Sequence, residues 1–129
     1  MRRTILMVLS LAASGSAAAE WVQVGGNAIS IAYADPATVR KAGNTTAMSV
    51  LLDFKTAQSR PYGTPYLSQN AQQEYDCNEG RARTIDLRSY SENMGKGEET
   101  DSVSDPGKWE AVAPGTAGAA LLELACGKK

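Results

Sequence analysis

The residues best suited to chemistry gather just after one cysteine. Cys77 leads through Asn78-Glu79-Gly80 to Arg81, Arg83 and Arg88, the densest positive patch of the chain. Arg81 and Arg83 are two apart, so on a strand they share a face. Paired guanidiniums of this kind can meet acidic groups on a partner protein or polysaccharide. Arg81, Arg83 and Arg88 are therefore the candidate binding residues. The alternative is cross-strand pairing with Glu74 and Asp76, or protection of a sheet edge. Catalytic readings are weaker. The sequence has no histidine, which removes the usual triad base, the commonest metal ligand and the ordinary near-neutral acid/base group. Asp53, Asp76 and Glu79 are the carboxylates left for a hydrolase or lyase, and nothing in their spacing demands that role.

Other polar clusters read as scaffold. Glu98-Glu99-Thr100-Asp101 with Asp105 lacks the alternating oxygen ligands and terminal bidentate carboxylate of a calcium loop. Gly25-Gly26 and Gly95-Lys96-Gly97 lack the strand, loop and helix that cradle a phosphate, and read as turns. No cofactor and no metal is expected. Tyr62 and Tyr66 beside Pro61 and Pro65 offer either an amphipathic contact surface or cover for a core edge.

The cysteines and the N-terminus set the compartment. Arg2 and Arg3, the apolar run Ile5 to Ala13 and the small residues Ala17-Ala18-Ala19 form the three parts of a secretory signal in order, with cleavage expected before Glu20. The apolar run is far short of the roughly 20 residues that span a bilayer; an N-terminal anchor is the alternative. Residues 1–19 are thus a signal peptide and residues 20–129 one domain, bound for the periplasm or secreted, with no integral membrane segment once the signal is removed. Cys77 and Cys126, the two cysteines, read most economically in an exported chain as one disulfide. Two free buried thiols or an intermolecular bridge are the alternatives. The mature part carries a side-chain charge of −3, a poor basis for nucleic-acid binding.

These residues need elements to position them. Ala47 to Lys55 alternates Met48, Val50, Leu52 and Phe54 with Ser49, Leu51 and Asp53, the pattern of a strand with one apolar face. Ala71 to Cys77 alternates likewise, and a strand with Ile85 and Leu87 follows the Asn78-Glu79-Gly80 turn, predicting an antiparallel hairpin. Trp21 to Val24 and Ile29 to Ala34 predict two shorter strands, the second ending in a turn at Asp35-Pro36. Residues 56–67 and 95–108 read as exposed loops. Ala117 to Cys126 predicts one helix, with Thr116 as N-cap and Gly127 as stop. Leu121, Leu124 and Ala125 share its packing face with Ala117.

The ordered landmarks resemble a known family. Trp21 is followed by Ile31-Ala32-Tyr33-Ala34-Asp35-Pro36-Ala37-Thr38-Val39-Arg40-Lys41-Ala42-Gly43 and Leu51-Leu52-Asp53-Phe54. Ser68, Tyr75-Asp76-Cys77, Arg81-Ala82-Arg83, Tyr90-Ser91 and Met94-Gly95-Lys96-Gly97 come next. The chain closes with Trp109 to Thr116 and Ala125-Cys126. Together they resemble the surface-adhesin protein E family of exported Gram-negative bacterial proteins, over essentially the whole mature chain. The resemblance implies an α+β fold: an antiparallel sheet of about six strands with a C-terminal helix tethered by the disulfide. It also implies a non-enzymatic binding role toward a host matrix protein or another envelope protein, and it carries homodimerisation. The family's namesake is anchored as a lipoprotein, whereas this chain has no lipidation cysteine after its small residues. A periplasmic hydrolase or lyase using carboxylates, and a purely structural dimeric envelope protein, are the competing readings.

Overall fold

The computed structural model describes residues 19–127; the signal segment expected over residues 1–19 lies, but for Ala19, outside them. Along the chain come β1 (Val22–Gly26), β2 (Ser30–Ala42), β3 (Thr45–Gln58), β4 (Tyr66–Asp76) and β5 (Arg81–Tyr90). After a 3-10 turn at Asn93–Gly95 follow β6 (Glu99–Val103), β7 (Glu110–Ala111) and α1 (Ala117–Cys126). Each strand from β1 to β6 pairs antiparallel with the next, so sheet order is chain order, and the two-residue β7 joins β5. This is the six-stranded antiparallel sheet with a C-terminal helix expected from the sequence.

The central strands form where apolar alternation is strongest. Met48 and Val50 on β3 are buried with Ala34 on β2, Tyr75 on β4, and Leu121 and Ala125 on α1. Val24, Val39, Ala82, Leu122 and Leu124 pack around them. Leu51, pointing the other way, is equally buried, beneath the turn that carries Gly95. There Asp53 Oδ1 accepts from Met94 N at 2.8 Å and Asn93 Nδ2 at 3.0 Å. Ser68 Oγ accepts from Gly95 N at 2.8 Å and donates to the Glu92 carbonyl at 2.6 Å. The sheet is therefore covered on both faces, by α1 on one and by this turn over part of the other.

Three local expectations are corrected. Of residues 56–67, expected as a loop, 56–58 extend β3 and 66–67 begin β4. Asp35-Pro36 does not end its strand: β2 runs on to Ala42, and the ladder with β3 slips between Asp35 and Arg40. Proline is tolerated at such a bulge, and Thr38 Oγ1 accepts from Ser49 N at 2.9 Å, in place of a ladder carbonyl. Residues 95–108, expected as a loop, contain β6. Its Glu-Thr-Asp-Ser-Val sequence shows no apolar alternation because it is an outer strand, where charge is favoured.

The helix forms where expected. Thr116 Oγ1 accepts from Ala119 N at 3.1 Å, capping its first turn. Cys126 at its end is joined to Cys77, with the two Cα atoms 5.8 Å apart. Closing a loop of this span stabilises by roughly 4 kcal/mol on the chain-entropy account.

Candidate binding surface

β4 and β5 set the arginines opposite carboxylates. In their antiparallel register Asp76 faces Arg81 and Glu74 faces Arg83. Arg81 donates to Asp76 Oδ2 from Nη2 at 2.9 Å and from Nε at 3.2 Å. Arg83 Nε donates to Glu74 Oε1 at 2.8 Å. These are the cross-strand pairs that the alternation of β4 made available.

Trp109 completes this arrangement from a distant part of the chain. The guanidinium carbons of Arg81 and Arg83 lie 5.2 and 4.6 Å from the centre of its ring, within cation–π range. The segment carrying Trp109 is tied to β5 by Gly107 N donating to the Thr84 carbonyl at 2.8 Å. It is tied again by β7, which sets Ala111 against Arg81 and Glu110 against Ala82. Each guanidinium thus has its own carboxylate partner, and the two share one indole ring.

Arg88 belongs to a second cluster farther along β5. It donates to Asp86 Oδ2 at 3.1 Å and to Glu99 Oε1 at 3.3 Å. The Asp86 carboxylate holds this guanidinium protonated more firmly than usual, with Glu99 adding to the effect. On the first cluster, the hydrogen bond from Arg81 holds the Asp76 carboxyl below its ordinary range, helped by the backbone N–H of Glu79. The structure therefore brings Arg81 and Arg83 together and sets Arg88 apart. All three keep contact with solvent: their side chains are 42, 29 and 48% exposed.

The carboxylates considered for acid/base work do not converge. Asp53 pairs in register with Ser68, and Asp76 with Thr45; eight residues of β3 separate those positions, about 27 Å of strand. Asp53 is engaged by Asn93 and Met94, Asp76 by Arg81, and Glu79 sits exposed in the hairpin turn. In the acidic stretch, Asp101 pairs with Arg60 at 2.8 Å and Glu99 with Arg88. Among the described residues no cluster of histidine, cysteine or carboxylate side chains is disposed to hold a metal ion. Tyr62 is 91% exposed at the β3–β4 connection, while Tyr66 packs edge-on against Phe54 with ring centres 5.7 Å apart.

Trp109 is the site residue that residue-by-residue reasoning missed. Its signal in the sequence was faint: a lone aromatic in a polar segment, two residues after the Asp105-Pro106-Gly107 turn.

The architecture is shared with solved structures. Haemophilus influenzae protein E in its crystal form II superposes with a TM-score of 0.66 at 12% identity, over 92% of this chain and 95% of that one. Protein E from non-typeable Haemophilus influenzae gives 0.59 at 14% identity, over 91 and 83% of the two chains. At these identities the likeness is one of fold. No curated protein matches the sequence. The sequence itself matches the surface-adhesin protein E family over residues 21–127, from Trp21 to the residue that caps the helix, and the chain belongs to that family.

Proposed function

We propose that this chain is an exported, non-enzymatic protein-binding module of the bacterial envelope, with Arg81, Arg83 and Trp109 as its contact strip and Arg88 extending it along β5. The observation that carries the reading is one indole with two partly exposed guanidiniums within cation–π range of its ring, each also hydrogen-bonded to its own carboxylate. Arginine and tryptophan dominate the energetics of protein contacts. Side chains already ordered before contact lose less conformational freedom on binding. Because each arginine has a carboxylate beside it, the strip presents alternating charge, which suits a protein surface carrying both signs. A host matrix protein and another envelope protein both meet that description. Family membership supports a binding role, and the separation of Asp53 from Asp76 supports the absence of carboxylate catalysis.

The test is the double variant Arg81→Lys/Arg83→Lys. Lysine keeps both charges and can still reach Glu74 and Asp76, but it loses the planar fork and with it the broad guanidinium contact with the Trp109 ring. Binding of the purified protein to an immobilised basement-membrane extract and to immobilised envelope proteins of the producing cell is then measured beside the thermal midpoint. The expected result is about tenfold weaker binding, equivalent to roughly 1.4 kcal/mol, with a nearly unchanged midpoint. Unchanged binding to both preparations would remove the strip from the account.

A further inference from the structure

The disulfide that ties α1 to the sheet is not sealed beneath it. Cys77 is exposed and Cys126 half-buried. Both line a cleft of about 360 Å³ between the β2–β3 turn and the end of α1. Lys41, Thr46, Asn78 and Glu123 line it with them. A bridge that serves only as a staple has no need of such access, whereas thiol–disulfide exchange depends on it.

The two sulfurs differ in what surrounds them. Thr46 is 2% exposed, and its hydroxyl donates to Cys77 Sγ at 3.7 Å. That is its one side-chain hydrogen bond among the described residues. A bridged sulfur is a weak acceptor, so this buried hydroxyl is poorly used while the disulfide is intact. A thiolate in the same place accepts far more strongly. Asp76, the carboxylate next to Cys77, is already paired with Arg81, and Glu79 in the same turn does not line the cleft. Cys126 is the last residue of α1, where the helix dipole disfavours negative charge. Glu123 lies three residues earlier, hence on the same helix face, and forms part of the cleft wall. Negative charge is therefore better tolerated on Cys77 than on Cys126.

We propose that this cleft is a thiol–disulfide exchange site of fixed polarity, at which an external thiolate attacks Cys126 Sγ and Cys77 leaves as the thiolate. The reductant is a dithiol. Its first sulfur bonds to Cys126 as the Cys77–Cys126 bond breaks, and the bonding pair stays on Cys77 beside the Thr46 hydroxyl. Its second sulfur then attacks the first, Cys126 leaves, and the dithiol departs as a disulfide. Two electrons pass to the chain, and the two protons of the dithiol end on the two cysteines. The sulfur attacked is the one whose partner leaves more readily. Lys41, in the same cleft, favours the approach of the incoming thiolate. The product frees the end of α1, the element that packs over Met48, Val50 and Tyr75.

The probe is glutathione, a monothiol, which halts the exchange at its first step. It is added without denaturant to the purified, disulfide-bonded protein, and the reaction is quenched early with N-ethylmaleimide. Cys77 and Cys126 fall in different tryptic peptides, so mass spectrometry reads which one carries each group. Glutathione on Cys126 with maleimide on Cys77 is expected to exceed the reverse by about tenfold. Thr46→Val is expected to slow adduct formation about tenfold and erase the preference, and Thr46→Ser to restore both. A variant that merely weakened the fold would react faster, not slower. A chain ended at Gly127 is expected to keep the preference, which makes it independent of Lys128 and Lys129. Adducts mainly on Cys77, equal adducts on both, or none until denaturant is added would overturn the proposal. So would an unchanged or faster rate in Thr46→Val, or a preference lost with the two lysines.

Discussion

Tyr75 lies at the centre of the helix-side core, 1% exposed, and its hydroxyl finds no hydrogen-bond partner among the described residues. A buried polar atom left unpaired costs free energy without return. Tyr75→Phe is therefore expected to raise stability by about 1 kcal/mol, read from chemical denaturation; a loss of stability would mean that the hydroxyl is satisfied. Burial also pushes the Tyr75 phenol well above its ordinary range. The unfolded chain ionises that phenol near about pH 10, while the folded chain keeps it protonated. Its contribution is thus complete below that pH and falls as pH rises further. Tyr75→Phe should flatten this alkaline limb. Asp76 works in the opposite sense. Its carboxyl is held low by Arg81, so its contribution is present above the ordinary carboxylate range and is lost as pH falls through the depressed folded value. Asp76→Asn should lower the thermal midpoint at neutral pH and reduce its fall in acid; an unaltered acid limb would remove the Arg81 pairing as its cause.

At the scale of elements, the disulfide fixes the C-terminal end of the helix. α1 is ten residues long, too short to persist alone in water. Leu121 and Ala125 bury one side of it, and Cys126 ties its end to Cys77, just past the end of β4. Reduction is expected to expose the amides of Ala117–Cys126 to hydrogen exchange before those of β3 and β4. Uniform loss of protection would mean instead that the bridge supports the whole domain. Much of this was legible in the residues. The period-two pattern of β3, the hairpin at Asn78-Glu79-Gly80 and the Thr116 cap each have a local physical cause visible in sequence. β6 and the continuation of β2 do not. β6 owes its existence to the edge of β5, and β2 passes Asp35-Pro36 because the Thr38 hydroxyl stands in for a ladder carbonyl. Both depend on a neighbour supplied by another part of the chain.

For the whole molecule, the meander puts all three candidate arginines on one strand, yet it alone does not make a site. Arg81 and Arg83 were readable as a pair sharing a face, and Glu74 and Asp76 as their cross-strand partners. Trp109 was not readable, since 26 residues separate it from Arg83 and its approach depends on β7 docking against β5. No helix among the described residues is long and apolar enough to cross a membrane. The proposed function requires a partner protein to sit on the strip around Trp109. The most direct test replaces the exposed neighbour Lys108 with a photo-crosslinking amino acid in the producing cell, and Tyr62, also exposed but on a distant connection, as the control. Irradiation in contact with matrix protein or in intact cells is expected to yield a discrete protein adduct from position 108 and none from position 62. An adduct from neither position, or from both alike, would contradict the claim.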